Sequence, residues 1–249
     1  MQLRNQGRQR YTYKSVINVF VFLIFFLSCS FCDARLIPPV KRHKLFTETG
    51  TWTATSSLVW ITLCGGGGGG GQGTQYNSNL GRSGAGGGSA QCVINYLAVV
   101  VPGTSYTITV GSGGTGGTGV DPVNGSAGSN GENSSFGSVV TAVAGTAGGA
   151  SAWNSGTPSG GSAGNSGIQS FFAFAGQAGE NGAINAYTGG DGGDSKFGIG
   201  GAHASGDNLD GSDGGGYGSG GGGGGMGNPD GTEGGNGGDG MSGFVLVEW

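Results

Sequence analysis

The sequence predicts an all-β protein, a small antiparallel, sandwich-like scaffold with packed glycine-rich loops, plus an N-terminal hydrophobic helix. Three observations predict it. Glycine supplies 64 of the 249 residues, and each interior glycine costs a helix about 1 kcal/mol. Segments rich in β-branched and aromatic residues alternate with the glycine runs, as strands do. The chain ends on such a segment, from Phe244 to Trp249, which is useful only if its strand partners lie far upstream.

The first 44 residues differ sharply from the rest in charge. They carry a net charge of +7, whereas residues 45–249 carry −11. Four basic residues precede the uncharged, apolar stretch 15–32, which is the pattern of a secretory leader. Residues 1–34 are therefore interpreted as either a cleaved signal peptide or an uncleaved signal anchor. The protein is expected to be secreted, extracellular or on a virion surface, with residues 15–32 as its membrane anchor in the second case.

Residues 35–45 read as an extended linker, and residues 46–249 as one glycine-rich β domain. Strands are expected at the segments that combine β-branched and aromatic residues. These segments are 52–54, 58–64, 91–101, 106–110, 135–144 and 244–249.

Glycine tracts lie between the predicted strands, at 65–71, 111–119 and 214–225. Glycine lets neighbouring backbones approach closely, so we expect these tracts to pack on one another in an extended, polyproline-II-like form. The alternative is a set of flexible linkers, the usual behaviour of Gly/Ser tracts. No repeat of fixed period runs through them, so a simple solenoid is not predicted.

The sequence does not predict an enzyme, a cofactor or a metal site. The only histidines are His43 and His203, too few for a zinc site or a His-based triad. A G-x-S-x-G match at 160–164 lacks the strand that a nucleophile elbow needs. Residues 234–242 match a calcium-binding nonapeptide but without the tandem copies that it requires. The acidic body also excludes a nucleic-acid partner.

Several residues are candidates for other roles. Asp207, Asp210 and Asp213 either bind calcium weakly or form a solvated acidic loop. Cys64 and Cys92 end and begin successive predicted strands, and they either form a disulfide, which an exported chain permits, or remain two buried thiols. The asparagines of two glycosylation sequons are Asn124 and Asn133.

Aromatic residues in the loops are candidates for ligand binding because they can stack on sugars or anchor a protein partner. The alternative is that they fill the space between glycine tracts. The candidates are Trp153, Tyr187 and Tyr217, with Trp153 expected to be exposed and the run Phe171–Phe174 partly buried.

An ordered set of short segments extends over residues 46–249: Phe46-Thr47-x-x-Gly50-Thr51-Trp52-Thr53, then Ile61-Thr62-Leu63-Cys64 and polyglycine, Val101-Pro102-Gly103 to Gly111, Asn133 to Ser138, and Gly243 to Trp249. This set resembles the glycine-rich domain at the tips of phage tail fibres. The resemblance implies a small β scaffold whose glycine-rich loops recognise a host surface. Behind a secretory leader, it implies a domain on a secreted protein or on a virion that matures through membranes.

Two functions follow as expectations. The first is an exported, non-enzymatic, adhesin-like protein that recognises a cell-surface glycan or protein receptor through its loops. The second is a structural surface or matrix protein that self-associates through its glycine tracts, as a homo-oligomer or larger assembly.

Overall fold

The computed structural model describes residues 41–74, 81–119, 124–150, 156–165, 173–184, 187–228 and 233–249. The chain divides into two compact units, Met1–Lys41 and Arg42–Trp249, and the fold described below is that of the second. The described residues are all-β, with two antiparallel sheets and no helix, which confirms the predicted fold class for this part. The predicted leader and its hydrophobic helix lie outside the described residues.

Nine strands build the two sheets. In chain order they are β1 (His43–Phe46), β2 (Gly50–Thr53), β3 (Leu58–Cys64), β4 (Cys92–Val99), β5 (Ser105–Thr109), β6 (Ser134–Phe136), β7 (Val140–Ala142), β8 (Ala173–Phe174) and β9 (Phe244–Glu248). The first sheet has the order β1-β9-β3-β4-β8 and the second β2-β5-β6-β7. The C-terminal strand β9 therefore lies between β1 and β3, far from its neighbours in sequence, as the terminal apolar segment predicts.

The two sheets enclose an aromatic and aliphatic core. Val59, Ile61 and Leu63 alternate inward along β3 and are completely buried. The second sheet contributes Trp52 and Phe136, whose ring centroids lie 5.8 Å apart. Alternate side chains of a strand point to opposite faces, so this pattern gives each sheet one face toward the core and one toward the outside.

The structure corrects three sequence-based boundaries. Residues 43–45, predicted as linker, belong to β1. This strand, His43 to Phe46, pairs with the second edge of β9. The single strand predicted at 135–144 is the hairpin of β6 and β7, which turns at Gly137 with a φ of 51°. The short strand β8 was not predicted at all. Its Phe174, expected to be partly buried, is 40% exposed, and Phe171 and Phe172 lie outside the described residues.

Three glycine-rich tracts form the centre of a second layer that continues from the sheets. They are residues 65–74, 82–91 and 218–226, and all of their residues are buried. Their backbone hydrogen bonds follow a three-residue period: the N–H groups of Gly66 and Gly69 donate to Glu132 and Ser129, and the next two residues of each turn donate to two other tracts. Three residues per turn is the geometry of polyproline II. The expected ordered, packed tracts are therefore present, in place of flexible linkers.

Each central tract is bonded to six neighbours among the described residues, the other two central tracts and four outer ones. The outer tracts form a closed ring in chain order, each bonded to the next. They are residues 111–119, 126–132, 143–149, 159–164, 176–182, 189–194, 199–204, 209–214 and 234–243. This is the hexagonal packing of three rods inside a ring of nine, and it follows from a three-fold helix whose N–H and C=O groups point outward in six directions.

Close packing explains why these tracts are glycine. A Cβ at Gly67, Gly68 or Gly69 would overlap a backbone carbonyl oxygen of a different neighbouring tract. The same restriction recurs every third residue in outer tract 176–182, where a Cβ at Gly176, Gly179 or Gly182 would overlap a carbonyl oxygen of tract 82–91. The sequence analysis predicted no repeat of fixed period in the glycine tracts. Within individual outer tracts that prediction is wrong, since glycine recurs there every third residue. The long glycine runs of the central tracts obscure this spacing in the sequence.

Candidate functional site

The bundle of tracts has two distinct ends. At the proximal end, central tracts 65–74 and 82–91 join β3 and β4 directly. At the far end, Thr74 bonds to Arg82, Gly73 to Gly235 and Gly149 to Ser159. The described residues beyond these bonds belong to six segments, which we call the distal loops: residues 81, 124–125, 150 with 156–158, 184 with 187–188, 205–208, and 227–228 with 233. Tracts of about ten residues at about 3.1 Å per residue separate the two ends by about 30 Å.

The described residues of the distal loops expose apolar side chains beside polar ones. Ile184 and Tyr187 are 44% and 38% exposed, and the neighbouring Leu209 is 51% exposed. Ile184 forms a backbone bridge with Arg82 at the start of a central tract, and Thr188 forms one with Ser205 of another distal loop. The distal end is therefore a composite surface built from segments far apart in sequence.

The structure separates the predicted aromatic residues. Tyr187 lies in a distal loop. Tyr217 lies at the opposite, proximal end, half-buried, with its ring 4.9 Å from that of Phe244. Tyr217 therefore packs beside the buried cluster of Cys64, Cys92 and Phe244, away from Tyr187. Trp153 lies outside the described residues.

Aspartate and asparagine side chains join the outer tracts laterally. The Oδ1 atoms of Asp210 and Asp213 accept the backbone N–H groups of Asn236 and Asp239 at 2.7 Å. Asp239 in turn accepts from Gly116, while Asn130 accepts from Ala147. An outer tract has neighbours on its inner side and flanks only, so some of its N–H groups would otherwise face solvent. The sequence analysis missed this role, although the placement of Asp and Asn between glycines three apart was a visible signal.

The acidic segment 207–213 has three exposed carboxylates. Those of Asp210 and Asp213 also accept backbone N–H groups of a neighbouring tract. His203 donates its backbone N–H to Asp191, and its Nδ1 lies 2.6 Å from the same carboxylate oxygen. Among the residues that the structure describes, no three His, Cys, Asp or Glu side chains group together as metal ligands.

The two motif matches are also segments of outer tracts. Gly161 and Gly164 of the G-x-S-x-G match face tract 82–91, and Ser162 donates its backbone N–H to the Thr146 hydroxyl. In the nonapeptide match, Gly234, Gly237 and Gly240 face tract 65–74. The three-residue spacing of the bundle therefore accounts for both patterns.

Cys64 and Cys92 are joined by a disulfide where β3 and β4 pass into the bundle, with their Cα atoms 4.1 Å apart. They lie directly opposite each other in the strand register and are fully buried. Of the sequon asparagines, Asn124 is exposed in a distal loop. Asn133 is exposed too, and its Oδ1 accepts the N–H of Ala144, so that side chain also links two tracts.

The sheets, the three buried glycine tracts and the ring around them define a glycine-rich β domain. A family model described as a glycine-rich domain matches residues 46–249, and the chain belongs to that family. No curated protein matches the chain. Within the described residues no helix has the length and apolarity needed to cross a bilayer.

Proposed function

We propose that this protein is an exported, non-enzymatic, adhesin-like protein that recognises a cell-surface glycan or protein through its distal loops. The main support for the proposal is the position of the distal loops. They come from six separate parts of the chain and lie at one end of the bundle, about 30 Å from the sheets at 3.1 Å per residue. The resemblance to phage tail-fibre tips, where such loops contact the host, supports the same reading.

The scaffold suits recognition because it is stiff. Each central tract is bonded to six others, so the loop ends are fixed by a network of backbone hydrogen bonds rather than by long side chains. A rigid scaffold lowers the entropy lost when loops bind a ligand. Loop sequences can also vary without disturbing the tracts, since loops tolerate change better than the elements they connect.

Exposed side chains at the distal end supply the contacts. Tyr187 offers a ring for stacking on a sugar or on a protein side chain, while Ile184 and Leu209 add apolar surface. Trp153 lies in sequence between Ala150 and Gly156, two residues of the distal loops, and is included as a candidate.

Self-association through the glycine tracts is less well supported. The glycine-rich central tracts are enclosed by the ring, and their hydrogen bonds are made within the bundle. On the ring, N–H groups at positions such as Gly116 and Gly200 are already occupied by Asp239 and Asp194. Pairing with a second bundle at these positions would have to displace the side-chain hydrogen bonds already made.

The test is binding of the purified chain to cell envelopes and glycan arrays, compared among surface variants. Tyr187→Ala, at the distal end, and Trp153→Ala, at a residue that lies in sequence between Ala150 and Gly156, are expected to weaken binding at least tenfold, a typical loss for an aromatic anchor. The matched control is Ile199→Ala, since Ile199 is 74% exposed but lies at a proximal turn. Equal loss in all three variants, or loss in the control alone, contradicts distal recognition.

A further inference from the structure

The outer faces of the two sheets differ in polarity. On the second sheet, Thr51 lies opposite Thr107, and Thr53 opposite Ser105, with the last two hydroxyls 3.0 Å apart. All four residues are exposed. This is the polar face expected of a sheet in contact with water.

The first sheet has an apolar outer face instead. Opposite residues of antiparallel strands lie on the same face, and here the pairs are Leu58 with Val99, Trp60 with Leu97, and Leu45 with Leu246. These pairs span four adjacent strands, β1, β9, β3 and β4. We call these six residues the apolar sheet patch.

Its four residues on β3 and β4 are contiguous and well exposed, and Glu248 lies opposite Trp60 on the same face. Val99 is 79% exposed, Leu58 52% and Leu97 48%, although each comes from a strand whose other face is buried in the core. Single exposed apolar residues are ordinary, but a contiguous apolar patch marks an interaction site. The patch also ends before the disulfide, where Tyr217 and Phe244 cover the same face.

We propose that the apolar sheet patch docks on the interface of a lipid bilayer, with the distal loops facing away from it. The chain segment that leads into the patch indicates a lipid partner. The described residues begin immediately before β1, whose Leu45 is part of the patch, and residues 15–32 upstream contain no charged side chain. Only residues 33–42 separate that stretch from β1, a reach of at most about 35 Å.

Charge supports the same partner. Lys44 and Glu248 lie in the strands, and Arg42 and Glu48 lie just before and after β1, so these charges sum to zero, whereas the outer tracts carry most of the acidic residues of the body. The docking end is thus neutral overall and mostly apolar, with Trp60 suited to the boundary between headgroups and acyl chains. The acidic bundle favours water over lipid, and this polarity orients the domain.

The test uses the exported full-length chain as purified, with vesicles of phosphatidylcholine brominated on the acyl chains. Bromine quenches tryptophans that enter the bilayer interface. We expect quenching in the wild type and its loss in Trp60→Phe, because Trp52 is buried in the core and Trp249 packs on it at 5.4 Å.

Partitioning provides the second measurement. Leu97→Ser with Val99→Ser should reduce the quenched fraction at least tenfold, as expected for two lost apolar side chains. Thr51→Ala with Thr107→Ala, on the polar face, should change nothing. Flotation of vesicles alone is not used, because residues 15–32 could carry any variant into the lipid.

Two results overturn the proposal. One is quenching that is absent or that persists unchanged in Trp60→Phe. The other is a dimer, seen by light scattering without lipid, that Leu97→Ser with Val99→Ser dissociates while no quenching occurs, since the patch would then bind a second copy. Neither result bears on binding by the distal loops, so the proposed function is tested separately.

Discussion

At the scale of single residues, each glycine of the central tracts is required by a particular neighbour. The hydrogen that replaces a side chain at Gly69 faces the carbonyl oxygen of Thr115, and at Gly70 that of Gly222. Both are backbone atoms, which cannot rotate away as a flexible side chain can. Glycine is selected here for close approach rather than for its conformational freedom.

We predict that Gly69→Ala lowers the free energy of unfolding by about 3 kcal/mol or more, because overpacking forces two backbones apart. Gly156→Ala is the control, since a Cβ there meets nothing within 4 Å, and its effect should stay within about 0.5 kcal/mol. Denaturant unfolding of the two variants measures the difference. Equal stabilities would mean that the tract spacing around Gly69 is looser than described.

At the scale of elements, the tracts behave like strands that form hydrogen bonds in several directions. A strand has neighbours on two edges, whereas tract 65–74 bonds to six rods. The ring resembles a closed barrel in one respect: it leaves no tract without a neighbour on either flank. Side-chain oxygens of Asp and Asn accept hydrogen bonds from backbone N–H groups on the outside of the ring, which limits pairing of those groups with other molecules.

We predict that amides in 65–74, 82–91 and 218–226 exchange with deuterium as slowly as those of β3 and β9, since both groups are buried and hydrogen-bonded. Hydrogen–deuterium exchange with peptide-level mass spectrometry measures this. The exposed turn around Gly103, beside β5, serves as the fast reference. Exchange in the central tracts at the rate of that turn would restore the flexible-linker interpretation.

At the scale of the whole molecule, the disulfide lies at the junction of its two layers. Cys64 and Cys92 are 28 residues apart, and the loop between them contains two of the three central tracts. Closing that loop reduces the conformational entropy of the unfolded chain. The loop is rich in glycine, which loses more conformational freedom on folding than any other residue.

We predict that reduction lowers the free energy of unfolding by about 3 kcal/mol, from the loop length. The measurement is denaturant unfolding of the wild type with and without reductant, which acts on the unfolded chain because both sulfurs are buried. Cys29→Ser with Cys32→Ser should keep the full response to reductant, and Cys64→Ala with Cys92→Ala should abolish it. An unchanged midpoint in reduced wild type contradicts the prediction.

The sequence alone determined the all-β class, most strands, the pairing of the last segment with upstream strands and the packing of glycine tracts. These follow from local properties, namely β-branched runs, alternation and the missing side chain of glycine. The candidate site was only partly predictable. Tyr187 and Tyr217 look alike in sequence, because both are aromatic residues within glycine-rich loops, yet they lie at opposite ends of the bundle.

Only the tertiary structure decided which ends of the tracts meet, which aspartates bond to which backbone, and which sheet face is apolar. Each depends on contacts between residues far apart in the chain: Asp213 meets Asp239, and Leu58 meets Val99. A three-fold helix can form hydrogen bonds with neighbours in six directions. Its local sequence determines how closely a neighbouring tract can approach. The identity of that neighbour is set by the packing of the whole bundle.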